Sequence, residues 1–99
     1  MPEIFYVYIL HCADGTYYTG YSGNLSRRLK QHQSGSIPRA YTKPRRPIKL
    51  VWASEFESKE EARGYEKKLK SWSTPRKEKL ITVGKTNTDQ IKVDRGIPD

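Results

Sequence analysis

Cysteine is nearly missing from this 99-residue chain: the single thiol at Cys12 excludes an internal disulfide and a thiolate metal cluster, and it fits a reducing compartment. Apolar residues are also few, at 34%. That is enough for one domain with one modest core and leaves nothing for a second. Long hydrophobic runs are absent too. The apolar stretch at residues 4–10 is far too short to span a bilayer and lacks a basic leader, so a cytoplasmic protein without membrane contact is expected. The most informative scarcity is of negative charge. No acidic residue occurs between Asp14 and Glu55, whereas Arg27, Arg28, Lys30, Arg39, Lys43, Arg45, Arg46 and Lys49 all fall inside that span, in a chain of formal net charge +8. Such segregation makes a sustained positive field suited to a polyanion.

What is present can be read into elements. The opening I-F-Y-V-Y-I-L is β-branched and aromatic throughout, which predicts a strand over residues 4–11 buried on both faces. Asp14-Gly15 marks a hairpin into a second strand at residues 16–21. A two-residue loop would place Tyr8 and Tyr18 on opposite faces. A three-residue loop with Gly15 left-handed at its last position would pair Cys12 with Thr16, set Tyr8 against Gly20, and leave Tyr8 and Tyr18 as diagonal neighbours on one face. The second register is preferred, because glycine suits that left-handed position. Asn24 then stands where an N-cap would, ahead of a helix over residues 25–33. At ~100° per residue Leu25 and Leu29 point inward, Arg28 and His32 flank them, and Arg27 points away. Arg28 and His32 thus form an i, i+4 pair beside the strand tyrosines. It reads either as a stem-packed arginine next to a half-buried histidine or as a cationic site for a phosphate.

Residues 34–47 carry Pro38, Pro44 and Pro47, which predicts an irregular, mobile basic loop that touches a nucleic-acid backbone through Arg39, Lys43, Arg45 and Arg46. A third strand follows at residues 48–56; the intervening helix and loop prevent a hairpin with the second. Ser58 and Glu61 make a capping box for a second helix whose buried stripe is Ala62, Tyr65, Leu69 and Trp72. Glu66 lies within that arc. Because burying an unpaired carboxylate costs several kcal/mol, it must be paired with a base, protonated, or bound to a metal. Thr74 as cap and Pro75 in the first turn open a last short helix to about residue 83. The polar residues 84–99 read as a flexible tail, leaving 1–83 as the domain. The G-K-T at 84–86 is not a phosphate loop, since Lys79 stands where that motif needs glycine.

Tyr6-Val7-Tyr8, Tyr18-Thr19-Gly20, the helix N-L-S-R-R-L-K-Q-H and a lone helical Glu66, in that order, resemble the GIY-YIG nuclease family, specifically its small stand-alone bacterial members, over roughly residues 4–82. Tyr6 replaces the name-giving glycine and Thr19 the isoleucine. The resemblance implies an α+β fold, a three-stranded antiparallel sheet flanked by helices with the site on one face. It also implies hydrolysis of DNA phosphodiesters, as an endonuclease or nickase in repair or processing, with one divalent ion, Mg2+ or another such as Mn2+. Carried over by position, Tyr8, Tyr18, Arg28 and His32 are catalytic and Glu66 holds the metal.

The chemistry assigns each a task. Tyr18 would take the proton of the attacking water; tyrosine's ordinary pKa of ~10 requires nearby positive charge, which Arg28 supplies. Tyr8 would orient water or phosphate, and Gly20, bare opposite it, would leave room for the phosphate. A monomer that contacts DNA mainly through its phosphate backbone is expected. The alternative is a binding module for DNA or RNA that keeps the fold without cleaving.

Overall fold

The structure, a computed structural model, describes residues 3–83; the tail expected at 84–99 lies outside the described residues. β1 (Phe5–Cys12) is the middle strand of a three-stranded sheet, with β2 (Tyr17–Ser22) and β3 (Ile48–Phe56) antiparallel on either side. Its central place explains why residues 7–10 are buried whichever face they point to. The hairpin takes the three-residue loop. The Cys12 amide donates to the Thr16 carbonyl at 2.8 Å, the Gly15 amide to the Cys12 carbonyl at 3.0 Å, and Gly15 is left-handed at φ 87°. Tyr8 consequently sits opposite Gly20. β3 returns against β1, with a one-residue bulge: Ile9 faces Trp52 but Leu10 faces Leu50, so Val51 is extra.

Strand alternation divides the core in two. α1 (Leu25–Ser34) covers one face, where Leu25 and Leu29 pack on Tyr8, Leu10, Cys12, Ile48 and Ala53. α2 (Lys59–Lys70) and α3 (Thr74–Val83) cover the other, with Ala62 and Leu69 on Val7, Ile9 and Trp52. Asn24 caps α1 by accepting from the Arg27 amide at 3.1 Å, and Ser58 caps α2 by accepting from the Glu61 amide at 3.1 Å. The expected cap of α3 is displaced by one residue: Thr74 is already helical, and the Ser73 hydroxyl accepts from the Arg76 amide at 3.4 Å. Proline fits anywhere in a first turn, so Pro75 did not fix the cap. Among the described residues no helix is long and apolar enough to cross a membrane.

The segment between α1 and β3 departs most from expectation. It contains a 3-10 turn, Lys43–Arg45, with Pro44 inside it, because proline breaks a helix interior but not so short a turn. It is also tied down. The Ala13 amide donates to the Arg45 carbonyl at 2.9 Å, and Arg46 donates from Nε to the Lys43 carbonyl at 2.9 Å and from Nη1 to the Gln33 carbonyl at 3.4 Å.

Candidate active site

The hairpin register brings three rings together under α1. Tyr8 opposite Gly20 and Tyr18 opposite Leu10 are diagonal neighbours, with ring centroids 6.3 Å apart. His32, in the last turn of α1, lies 6.0 Å from the Tyr8 ring and 5.2 Å from that of Tyr18. The Tyr8 hydroxyl and His32 Nε2 are hydrogen-bonded at 3.1 Å, and His32 Nδ1 is hydrogen-bonded to the Thr42 hydroxyl at 2.6 Å. Tyr8, His32 and Thr42 are all buried. A neutral imidazole carries one proton and one lone pair, and a hydroxyl on each side can complete either tautomer. Thr42 was invisible to sequence reasoning, because a lone threonine among prolines and cations carries no periodic signal.

Burial, then the positive charge of Arg28, pushes the His32 pKa down to about 4, so the ring is neutral at physiological pH. Burial chiefly pushes the Tyr8 phenol up, with Tyr18 and Glu66 adding to the rise and Arg28 opposing it. Tyr8 therefore keeps its proton. Arg28 is half-buried, and among the described residues no carboxylate lies within ion-pair distance of it; the ion pairs present join Arg45 to Asp14 and Lys70 to Glu66. Its charge is left to act on the phenol and the imidazole.

Gly20 has a different task from the one expected. A Cβ there would stand 2.6 Å from the Tyr8 hydroxyl oxygen, 2.7 Å from its Cζ and 3.0 Å from Tyr18 Cε2. The space beside Gly20 holds the Tyr8 phenol rather than lying open to a phosphate. Glycine is required because the phenol must cross the β2 backbone to reach His32.

Glu66 comes from α2, whose apolar residues pack on the opposite face of the sheet from Tyr8. Its charge still reaches Tyr8. The side chain is 15% exposed, pairs with Lys70 Nζ at 3.3 Å across one helical turn, and borders a hollow of about 440 Å³ shared with Glu60, Arg63, Lys67 and Lys70. Among the described residues no three of histidine, cysteine, aspartate and glutamate converge. The oxygen donors there, Glu66 with Glu60 at the rim, are of the kind a hard ion such as Mg2+ takes alongside waters and phosphate oxygens, and they do not make a closed zinc site; Lys70 would have to give up Glu66 for an ion to bind.

The loop cations divide. Arg45 is held by Asp14, Nε to Oδ2 at 3.0 Å, donates from Nη1 to the Tyr41 carbonyl at 2.7 Å, and lies 3.8 Å over the Tyr41 ring. Hydrogen bonds from the Thr16 hydroxyl and amide, with the Arg45 charge, hold the Asp14 carboxyl below its usual range. Arg46 is tied to the backbone carbonyls of Lys43 and Gln33. Of the four residues expected on the DNA backbone, Arg39, Lys43 and Arg46 are exposed, Arg46 with its guanidinium on backbone carbonyls, whereas Arg45 is half-buried and paired with Asp14. On the outer side of α1 a hollow of about 530 Å³ is lined by Arg27, Lys30, Asn24, Ser26 and Gln31, with no acid among them.

Known proteins similar to this chain establish its family. The sequence profile of the GIY-YIG catalytic domain matches residues 4–79. The UPF0213 protein BH0048 of Halalkalibacterium halodurans is 46% identical over 78 residues, which is 79% of this chain and 82% of that protein. A UPF0213 protein of Streptococcus pneumoniae is 46% identical over 77 residues, 78% of this chain and 77% of that one. The solution NMR structure of BH0048 superposes with a TM-score of 0.55 at 41% identity, covering 92% of this chain and 97% of that chain. That of the protein EF2693 from E. faecalis gives 0.53 at 28% identity, covering 97% and 94%. With a catalytic-domain profile running from the first strand into α3 and small proteins aligned over most of their own length, this chain belongs to the GIY-YIG domain family.

Proposed function

We propose that this protein is a divalent-metal-dependent endonuclease or nickase that hydrolyses phosphodiester bonds of DNA, in repair or processing. The observation that carries the reading is the buried hydroxyl–imidazole–hydroxyl chain Tyr8–His32–Thr42 with the unpaired Arg28 charge beside it, in a chain with a GIY-YIG catalytic domain. Hydrolysis needs a deprotonated water in line with the leaving oxygen and positive charge on the non-bridging oxygens. Arg28 supplies that charge and cannot lose it by deprotonation. Tyr8, kept protonated by burial, holds and orients an oxygen of the water or phosphate. Tyr18, half-buried beside both, accepts the water's proton as its phenolate, and the neutral His32 ring fixes Tyr8. Glu66 would hold Mg2+ or Mn2+, whose Lewis acidity stabilises charge on the departing oxygen. Exposed Arg39 and Lys43, and Arg27 and Lys30 along α1, would hold flanking phosphates.

The experiment is conversion of supercoiled plasmid to the open circle by purified protein. Nicking with Mg2+ that stops on adding EDTA is expected; intact plasmid across Mg2+ and Mn2+ concentrations would reject the catalytic reading. A second reading, a binding module without cleavage, is favoured by one observation: Lys70 already neutralises the Glu66 carboxylate.

A further inference from the structure

Tyr41 is the exposed large hydrophobic residue among those described, at 40%, and it sits against the site. Its ring stacks with Tyr18, centroids 6.1 Å apart and planes 20° from parallel, and the Arg45 guanidinium carbon lies 3.8 Å over the Tyr41 ring. Tyr41 thus joins Tyr18 to a guanidinium plane. Two contacts orient that plane: Asp14 Oδ2 lies 3.0 Å from Nε as an ion pair, and the Tyr41 carbonyl takes Nη1 at 2.7 Å, so the guanidinium is turned towards protein oxygens and its charge is matched by Asp14. About a third of the side chain, 32%, is nevertheless exposed, as is 40% of Tyr41, so the pair is open to solvent.

A flat, preorganised, charge-neutralised guanidinium on an aromatic ring is poorly suited to phosphate and well suited to a nucleobase, whose π-face stacks on aromatic rings and on arginine planes. We infer that the Tyr41–Arg45 pair is a stacking platform for an unpaired base, and that this protein recognises DNA with a single-stranded nucleotide next to Tyr18. A base inside a duplex is covered on both faces by its neighbours, so only an unpaired one can stack here. Exposed Lys43, in the same turn as Arg45, is available for the adjoining phosphate. The inference rests on the nucleic-acid part of the proposed function and is independent of cleavage.

The test measures binding in EDTA, so that no strand is cut. Two hairpin DNAs of the same sequence are compared, one fully paired and one carrying a single unpaired 2-aminopurine, by anisotropy and by quenching of the 2-aminopurine fluorescence. Wild type should bind the unpaired form about tenfold more tightly and quench it, the scale of one stacked base. Arg45→Lys keeps the charge but loses the plane, and Tyr41→Leu keeps bulk but loses the ring. Each should lose the quenching and most of the preference, with circular dichroism confirming a folded chain. Equal affinity of wild type for the two DNAs, or a preference that survives in both variants, overturns the platform. Binding of paired DNA without preference overturns the platform alone, whereas no binding to either DNA removes the nucleic-acid reading with it.

Discussion

The buried His32 ties stability to pH in a way that can be worked out in advance. Its folded pKa is lowered from the ordinary 6.5 to about 4, by burial first and by Arg28 second. Between those values the unfolded chain binds the proton and the folded one does not, so stability rises with pH there. The contribution is fully present above about pH 6.5 and is lost as pH falls towards about 4. At about 1.4 kcal/mol for each tenfold difference in proton affinity, the whole contribution is on the order of 3 kcal/mol, a large part of what a domain of this size possesses. The assay is urea unfolding at half-unit steps from pH 7.5 to pH 3.5, for wild type and for His32→Gln, which keeps polar contacts but cannot titrate. Carboxylates, Asp14 among them, also lose stability in acid, but they do so in both proteins. The difference between the two curves should therefore change by about 3 kcal/mol across that window. Parallel curves would mean that His32 is not held neutral in the folded state, and the Tyr8–His32–Thr42 chain would have to be abandoned.

Gly20→Ala places a methyl group within 2.6 Å of the Tyr8 hydroxyl oxygen, and overpacking of that kind costs about 1–3 kcal/mol. The variant should melt earlier and lose nicking, while normal activity would show that Tyr8 is free to move. Glu66→Gln removes the charge that would hold a hard cation, so Mg2+ should raise the melting temperature of wild type and not of the variant. A variant destabilised equally with and without Mg2+ would instead make Glu66 only the partner of Lys70. Replacing the exposed Arg39 and Lys43 together with alanine should flatten the dependence of log affinity on log salt by about 0.9 for each phosphate that is no longer neutralised; an unchanged slope, measured by anisotropy on duplex DNA, would remove this loop from the interface.

Much of the frame was legible from local chemistry. Gly15 at a left-handed position fixed the hairpin register, and with it the pairing of Tyr8 with Gly20 and the shared face of Tyr8 and Tyr18. The α1 wheel placed His32 at the core edge, where it is buried. Long-range partners were not legible. Arg45 and Arg46 look in sequence like free cations, and only the folded chain brings Asp14 and the Gln33 carbonyl to them. Gly20 likewise looked like an opening, because a phenol from another strand bending across it leaves no local trace. Lys70 is a different case: four residues from Glu66 on one helix, it could have been named as the partner by spacing alone.

The most direct test of the account is the rate of plasmid nicking, at saturating DNA and with Mg2+, for Arg28→Ala against Arg27→Ala. The two arginines are adjacent in sequence, yet Arg28 acts on Tyr8 and His32 whereas Arg27 lines the outer hollow of α1. Removing a preorganised charge from the reacting phosphate should cost on the order of a hundredfold or more. Arg28→Ala is thus predicted to be nearly inactive once bound, and Arg27→Ala to need more DNA but to nick at the wild-type rate. Equal losses in the two variants would contradict the account and reduce the site to a diffuse basic surface.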